Sequence, residues 1–349
     1  MQPVRESERP FRSFARDVKA HVDGALADWL APRVAEASSL HAEVGAVARA
    51  CLDLAVRGGK RLRPALTAAA YEAFDGAGGA RGIGPALVAL ELLQAYLLIH
   101  DDWMDGDATR RGGPSAHASL GAAFGSAQAG AVAAILAGDL AVAYAQEALL
   151  ETDVAPAALV AAARELASMQ HSVVLGQTLD VRSVSRGSSD VERMHDLKTG
   201  SYTVRGPLRL GAALAGADDL ARRAIDAFAG PLGIAFQLRD DLLGLFGDPS
   251  VTGKPRGSDL RERKKTAVVA DLWLDAEWAA RLEGAARLDD GAVDRLLGDI
   301  ERTGARERVE ARIVTLEKRA LTELAALPVS ARGRDLLADA ARALTTREL

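Results

Sequence analysis

Two aspartate pairs, Asp101-Asp102 and Asp240-Asp241, are set inside apolar helical runs, and that placement constrains this chain more than any other feature. The first run reads Leu97-Leu98-Ile99-His100-Asp101-Asp102-Trp103-Met104-Asp105. The second reads Ala235-Phe236-Gln237-Leu238-Arg239-Asp240-Asp241-Leu242-Leu243-Gly244. Carboxylates are costly to bury unless they are paired or bind a metal. Two such runs on core-like helices therefore imply a cavity whose acidic walls hold hard cations. Oxygen-only ligands favour magnesium, which takes one or two carboxylates per ion and fills its shell with phosphate and water oxygens.

Alanine, leucine and arginine dominate the 349 residues, aromatic residues make up 4%, and β-branched runs are short. That composition predicts an all-α protein. Helical patterning begins near Ala20 and recurs to the C-terminus, broken at Gly58-Gly59, Gly76–Gly82, Gly112-Gly113-Pro114, Ser183–Ser189, Gly206-Pro207 and Gly247–Gly257. The segments between, roughly 15–25 residues each, suit a large helical bundle. The expected organisation is a loosely held arm over residues 1–20 and one helical domain over residues 21–349, since no composition shift marks a boundary.

The net charge of −5, without a basic stripe interleaved with aromatics, argues against nucleic acid as a partner. The single cysteine, Cys51, rules out an intrachain disulfide, reads as a small core residue and fits a cytoplasmic protein. The polar stretch Met1–Arg16 lacks the apolar core of a signal peptide. Ala127–Leu150 is apolar, but Asp139 and Gln146 interrupt it and its alanines weaken it, so a buried helix is expected rather than a membrane span.

At 100° per residue, Asp101 and Asp105 share a helix face with Asp102 beside them. Tyr96 lies nearly two turns upstream. Downstream, Arg110-Arg111-Gly112-Gly113-Pro114 forms a basic turn suited to a polyanion held at the aspartates. In the second run Gln237, Asp240 and Asp241 line one wall. It is followed by the Gly/Pro loop carrying Lys254, then by Lys264-Lys265, which read either as further anion contacts or as solvated surface. A diphosphate approaches carboxylates only through bridging divalent ions, and lysines and arginines then take its remaining oxygens. Gly58-Gly59-Lys60-Arg61-Leu62-Arg63-Pro64 offers bare backbone amides and two cations at a helix start, a weak anion cradle on its own. Gln177 and Asp180 stand out on a helix, as does Lys198-Thr199-Gly200-Ser201-Tyr202, with Lys198 pointing inward or snorkelling outward. His100, His171 and His195 are uninformative, and no nucleophile-base arrangement is present.

Taken in order, these clusters resemble the trans-polyprenyl diphosphate synthases from about Gly58 to Thr266. Asp101-Asp102-Trp103-Met104-Asp105 with Arg110-Arg111 is similar to that family's first DDxxD motif followed by RRG. Asp240-Asp241 with Gly247-Asp248-Pro249 and Gly253-Lys254 is similar to its second, and Gly58–Pro64 matches GGKRxRP. The second motif departs from many relatives by ending in Gly244 instead of a third aspartate.

The resemblance implies an all-α bundle around a central cavity, a homodimer and a site for three magnesium ions. Asp101 and Asp105 would bind two ions and Asp240 the third, with Asp102 and Asp241 in support. Arg110, Lys198, Lys254 and Lys264 would hold an allylic diphosphate. Gly59, Lys60, Arg63, Gln94 and Arg111 would hold isopentenyl diphosphate, while Thr199, Tyr202 and Gln237 would face the allylic cation. It also implies that Tyr96, with the non-aromatic Leu97 beside it, forms the floor that limits product length. Geranylgeranyl diphosphate is then the expected product and farnesyl diphosphate the second reading. A class I terpene cyclase would need an Asn/Ser/Glu triad in place of Asp240-Asp241. A non-catalytic regulatory subunit would typically have lost aspartates of the first motif, and all three remain here.

Overall fold

A computed structural model describes residues 10–181, 188–249 and 255–346. In chain order the elements are α1 (Pro10–Leu40), α2 (Ala42–Val56), α3 (Leu62–Ala73), α4 (Gly79–Gly82), α5 (Gly84–Asp105), a hairpin of β1 (Thr109–Arg110) and β2 (Gly113–Pro114), α6 (Ala116–Phe124), α7 (Ala127–Leu150), α8 (Pro156–Val181) and α9 (Ser188–His195). A π-helix follows over Asp196–Arg205, then α10 (Gly206–Leu214), α11 (Asp219–Phe246), α12 (Ser258–Arg261), α13 (Ala276–Gly284), α14 (Asp290–Arg302), α15 (Ala305–Ala325) and α16 (Ala331–Thr346). The expected all-α class holds: among the described residues the two-residue strands of the hairpin are the only sheet.

Two compact units emerge where composition marks no boundary. One comprises Met1–Ala167, Pro207–Asp218 and Val329–Gly333; the other comprises Ser168–Gly206, Asp219–Pro328 and Arg334–Leu349.

In the first unit, α1 corrects the expected arm over residues 10–20; residues 1–9 of that expectation lie outside the described residues. The helix starts at Pro10, and Phe11, Ala15, Val18, Val22, Leu26 and Leu30 are all buried. Their spacing of three and four residues makes one apolar stripe, narrow enough to be masked by the charged residues between. Helix α5 is buried along most of its length and packs on α7. The contact face of α7 is built from Gly130, Ala133, Ala134, Ala137, Gly138 and Ala141. Small residues let the two helices approach closely: a Cβ at Gly138 would overlap the His100 ring. The opposite face of α7 corrects the expectation of a buried helix, because Val132, Ile135 and Leu136 are exposed.

In the second unit, Leu238, Leu242 and Leu245 of α11 pack into one core with Leu297 and Ile300 of α14 and Ile313 and Leu316 of α15. Gly200 of the π-helix and Gly233 of α11 meet backbone to backbone, a Cβ at Gly233 falling 3.0 Å from the Gly200 Cα. That approach sets Thr199 and Tyr202 alongside the helix that carries Gln237.

Candidate active site

Helix α5 ends at Asp105 and is followed by Gly106, whose φ of +73° is the left-handed conformation that closes a helix C-terminus. Asp102 and Asp105 thus occupy the last turn, and Asp101 adjoins it. The negative end of the helix dipole disfavours carboxylates there, so this run needs compensating cations. Asp102 is fully buried, and burial raises its carboxyl above the usual range. Arg110, which donates to its Oδ1 at 2.6 Å, works against that rise. The other Asp102 oxygen is buried without a hydrogen-bond partner. Asp105 is exposed and Asp101 half-buried.

Arg110 is delivered by the hairpin. Its two-residue turn, Arg111-Gly112, has φ of +51° and +74°, the paired positive values that a tight hairpin turn requires. Arg57 fastens the hairpin from α2's end, donating to the carbonyl of Pro114 at 2.6 Å and of Arg110 at 3.3 Å. Arg111 in turn donates to the Gly58 carbonyl at 3.0 Å. The RRG turn and the Gly58-Gly59 loop are therefore one structure. Burial lowers the Arg111 guanidinium below its ordinary value; Glu91 is the next influence and opposes it, while Arg61, Arg63 and Arg110 add smaller lowering effects. Arg61, Arg63, Arg110 and Arg111 thus cluster around this loop, with Glu91 among them.

Arg61 supports this cradle rather than lining it. It is buried, takes φ of +50°, and pairs with Glu91 on α5 and with Asp23 on α1 at 2.7 Å. Lys60 is exposed and Arg63, like Gln94, half-buried. Tyr96 and Leu97 are half-buried on α5. Tyr96 packs edge-on against His100 at 4.9 Å and joins the cluster around Cys51 and Ala137.

In the second unit, Asp240 is exposed while Asp241 is buried and fully engaged. Its oxygens accept from Gln237 Nε2 at 2.8 Å and from the Ala267 amide at 2.7 Å, and His195 Nδ1 lies 3.7 Å away. Burial dominates and raises the Asp241 carboxyl; His195, Gln237 and Ala267 oppose it. Gln237, expected to face an allylic cation, here orients Asp241. Lys198, half-buried in the π-helix, donates to Asp180 of α8 at 2.6 Å. A Cβ at Gly176 of α8 would strike the Lys198 backbone, so that glycine permits the approach. Lys264 is exposed and pairs with Glu262. Lys254 lies outside the described residues.

No three His, Cys, Asp or Glu side chains gather into a cage among the described residues. The donors nevertheless fit magnesium: all are carboxylate oxygens, and a magnesium site leaves positions for phosphate and water. Asp101, Asp105 and Asp240 have accessible carboxylates, whereas Asp102 and Asp241 are turned to protein partners.

Residues 46–295 match the family model described as Polyprenyl synthetase. The chain belongs to that family. A (2E,6E)-farnesyl diphosphate synthase of Mycobacterium tuberculosis is 37% identical over 256 residues, spanning 72% of this chain and 67% of that protein. A geranylgeranyl diphosphate synthase of the same organism is 37% identical over 289 residues, 80% of this chain and 78% of that one. Among solved structures, a geranylgeranyl pyrophosphate synthase of Corynebacterium glutamicum, complexed with isoprenyl diphosphate and magnesium, superposes with a TM-score of 0.85. Its identity is 31%, and the match covers 97% of this chain and 99% of that one. This polyprenyl synthetase is a short-chain prenyl diphosphate synthase, a prenyltransferase. Arg57 went unread in the sequence, its only signal being its position beside the glycine pair, and Arg61 was read only as part of the GGKRxRP match, without the buried role it has here.

Proposed function

We propose that this synthase extends an allylic diphosphate with isopentenyl diphosphate and stops at geranylgeranyl diphosphate. The observation that carries the reading is the cluster of Arg61, Arg63, Arg110 and Arg111 around one glycine loop, where guanidinium groups outnumber the single carboxylate of Glu91, beside a carboxylate run at the wrong end of a helix dipole. Arg111, Lys60, Arg63, Gln94 and the Gly59 backbone take isopentenyl diphosphate. Arg110, Lys198, Lys254 and Lys264 take the allylic diphosphate, and Asp101, Asp105 and Asp240 are the ligands for three magnesium ions. When bound, the metal neutralises the allylic diphosphate and stabilises charge as it leaves.

The allylic C–O bond breaks with its electron pair going to the departing diphosphate. The double bond of isopentenyl diphosphate then attacks the allylic cation, and the released diphosphate takes the proton that is lost. Thr199, Tyr202 and Gln237 face the cation; Asp102 holds Arg110, and Asp241 is held in turn by Gln237. Exclusion of water protects the cation from quenching.

Relatives of equal identity bear farnesyl and geranylgeranyl names, so the product assignment rests on Tyr96 as the floor, with Leu97 beside it too slight to close the space. The exposed stripe of Val132, Ile135 and Leu136 on α7 supports a homodimer, and the buried thiol of Cys51 suits the cytoplasm.

Purified protein incubated with labelled isopentenyl diphosphate and dimethylallyl, geranyl or farnesyl diphosphate tests the reading. Label should enter a longer diphosphate with magnesium and not with EDTA; no incorporation from any primer would overturn it.

A further inference from the structure

Four residues after Asp101 stands Asp105, but four residues after Asp240 stands Gly244. Positions i and i+4 share a helix face, so α11 lacks the third carboxylate that α5 presents beside its leading aspartate. Another segment fills that space. A Cβ at Gly244 would fall 2.5 Å from the carboxyl carbon of Asp259 and overlap one of its oxygens. The Asp259 side chain is only 13% exposed although it belongs to the short surface turn α12. The turn is docked on the same spot by Ser258, whose hydroxyl donates to the Gly244 carbonyl at 3.4 Å. From there Asp259 reaches Lys264 twice, sharing its ammonium with Glu262, which lies closer at 2.5 Å. Its carbonyl accepts the Lys264 amide at 2.9 Å, and its Oδ1 lies 3.8 Å from the Lys264 ammonium.

We infer that Gly244 is a notch for the Asp259 carboxylate, and that Asp259 replaces through space the acidic group missing from α11. Asp259 is a positioning residue: it holds Lys264 and the α12 turn against the Asp240 face. An acidic residue in a first helical turn is ordinary; the notch that receives it is not explained by helix capping. The inference rests on the functional reading above, since Lys264 is there a diphosphate ligand.

An exchange of the two residues tests it. Gly244→Ala, Asp259→Asn and the double variant Gly244→Asp/Asp259→Gly are compared with wild type. The readouts are calorimetric binding of inorganic diphosphate in magnesium, the KM for the allylic primer, and thermal melting. Each single variant should weaken diphosphate binding about 10–100-fold, the range for loss of a supporting partner, while the exchange recovers most of the loss. Recovery is something a purely structural Asp259 would not produce. Asp259→Asn binding as tightly as wild type, or an exchange variant that melts normally and binds no better than the single variants, would overturn the inference. Wild-type protein that binds no diphosphate would instead remove the functional reading, and the inference with it.

Discussion

Arg61 and Glu91 form a buried ion pair beneath the Gly58-Gly59-Lys60 loop, the two residues being 2% and 3% exposed. The pair ties that loop to α5, the helix that ends in the first aspartate run. Arg61→Met should destabilise the fold by about 3–5 kcal/mol, because it strands Glu91 as an unpaired buried charge. Adding Glu91→Leu should restore part of the loss. Urea unfolding at neutral pH measures both, and a single variant as stable as wild type would remove Arg61 as the loop's anchor.

Asp101 and Asp102 are neighbours with different expected phenotypes. Asp101→Asn should lower turnover on the order of 100-fold and leave melting unchanged, since its carboxylate is accessible. Asp102→Asn should lower turnover and also cost about 1–3 kcal/mol, because it loosens Arg110 inside the protein. Parallel kinetics and melting curves separate the two, and identical stability losses would contradict the assignment.

Gly176 has no room for a side chain against the Lys198 backbone. Gly176→Ala should therefore shift the π-helix at a cost of about 1–3 kcal/mol, raise the KM for the allylic primer and spare that for isopentenyl diphosphate. Steady-state kinetics with each substrate varied in turn provides the check; equal effects on both would refute a role local to Lys198.

Burial pushes the Cys51 thiol up to about 12 from its ordinary value of 9.0. Between those values the unfolded chain loses this proton while the folded chain keeps it. The stability linked to Cys51 is thus intact below pH 9 and declines as pH rises towards 12. Native protein should resist iodoacetamide at pH 8 and react once unfolded in urea. Labelling of the native protein at the unfolded rate would contradict the buried, protonated thiol.

The aspartate runs, the RRG turn and the glycine pair were legible because their residue types are costly or useless outside a site. The stripe from Phe11 to Leu30 was present in the sequence, but the charges between its members hid it. Arg61–Glu91 and Gly244–Asp259 were not legible: each joins residues that local spacing does not relate, and only the fold brings them together. The π-helix was equally hidden, since the change in residues per turn is small over the ten residues of Asp196–Arg205. Asp102 and Asp241 read like their neighbours Asp101 and Asp240, and burial alone distinguishes them.

The product made by the wild-type protein tests the central claim most directly. Dephosphorylated products from dimethylallyl, geranyl and farnesyl diphosphates, each with magnesium and isopentenyl diphosphate, are resolved by mass spectrometry beside those of Tyr96→Ala. A dominant twenty-carbon alcohol from wild type, lengthened by the substitution, is the predicted result. A fifteen-carbon product, or one that Tyr96→Ala leaves unchanged, would contradict the assignment of Tyr96 as the floor.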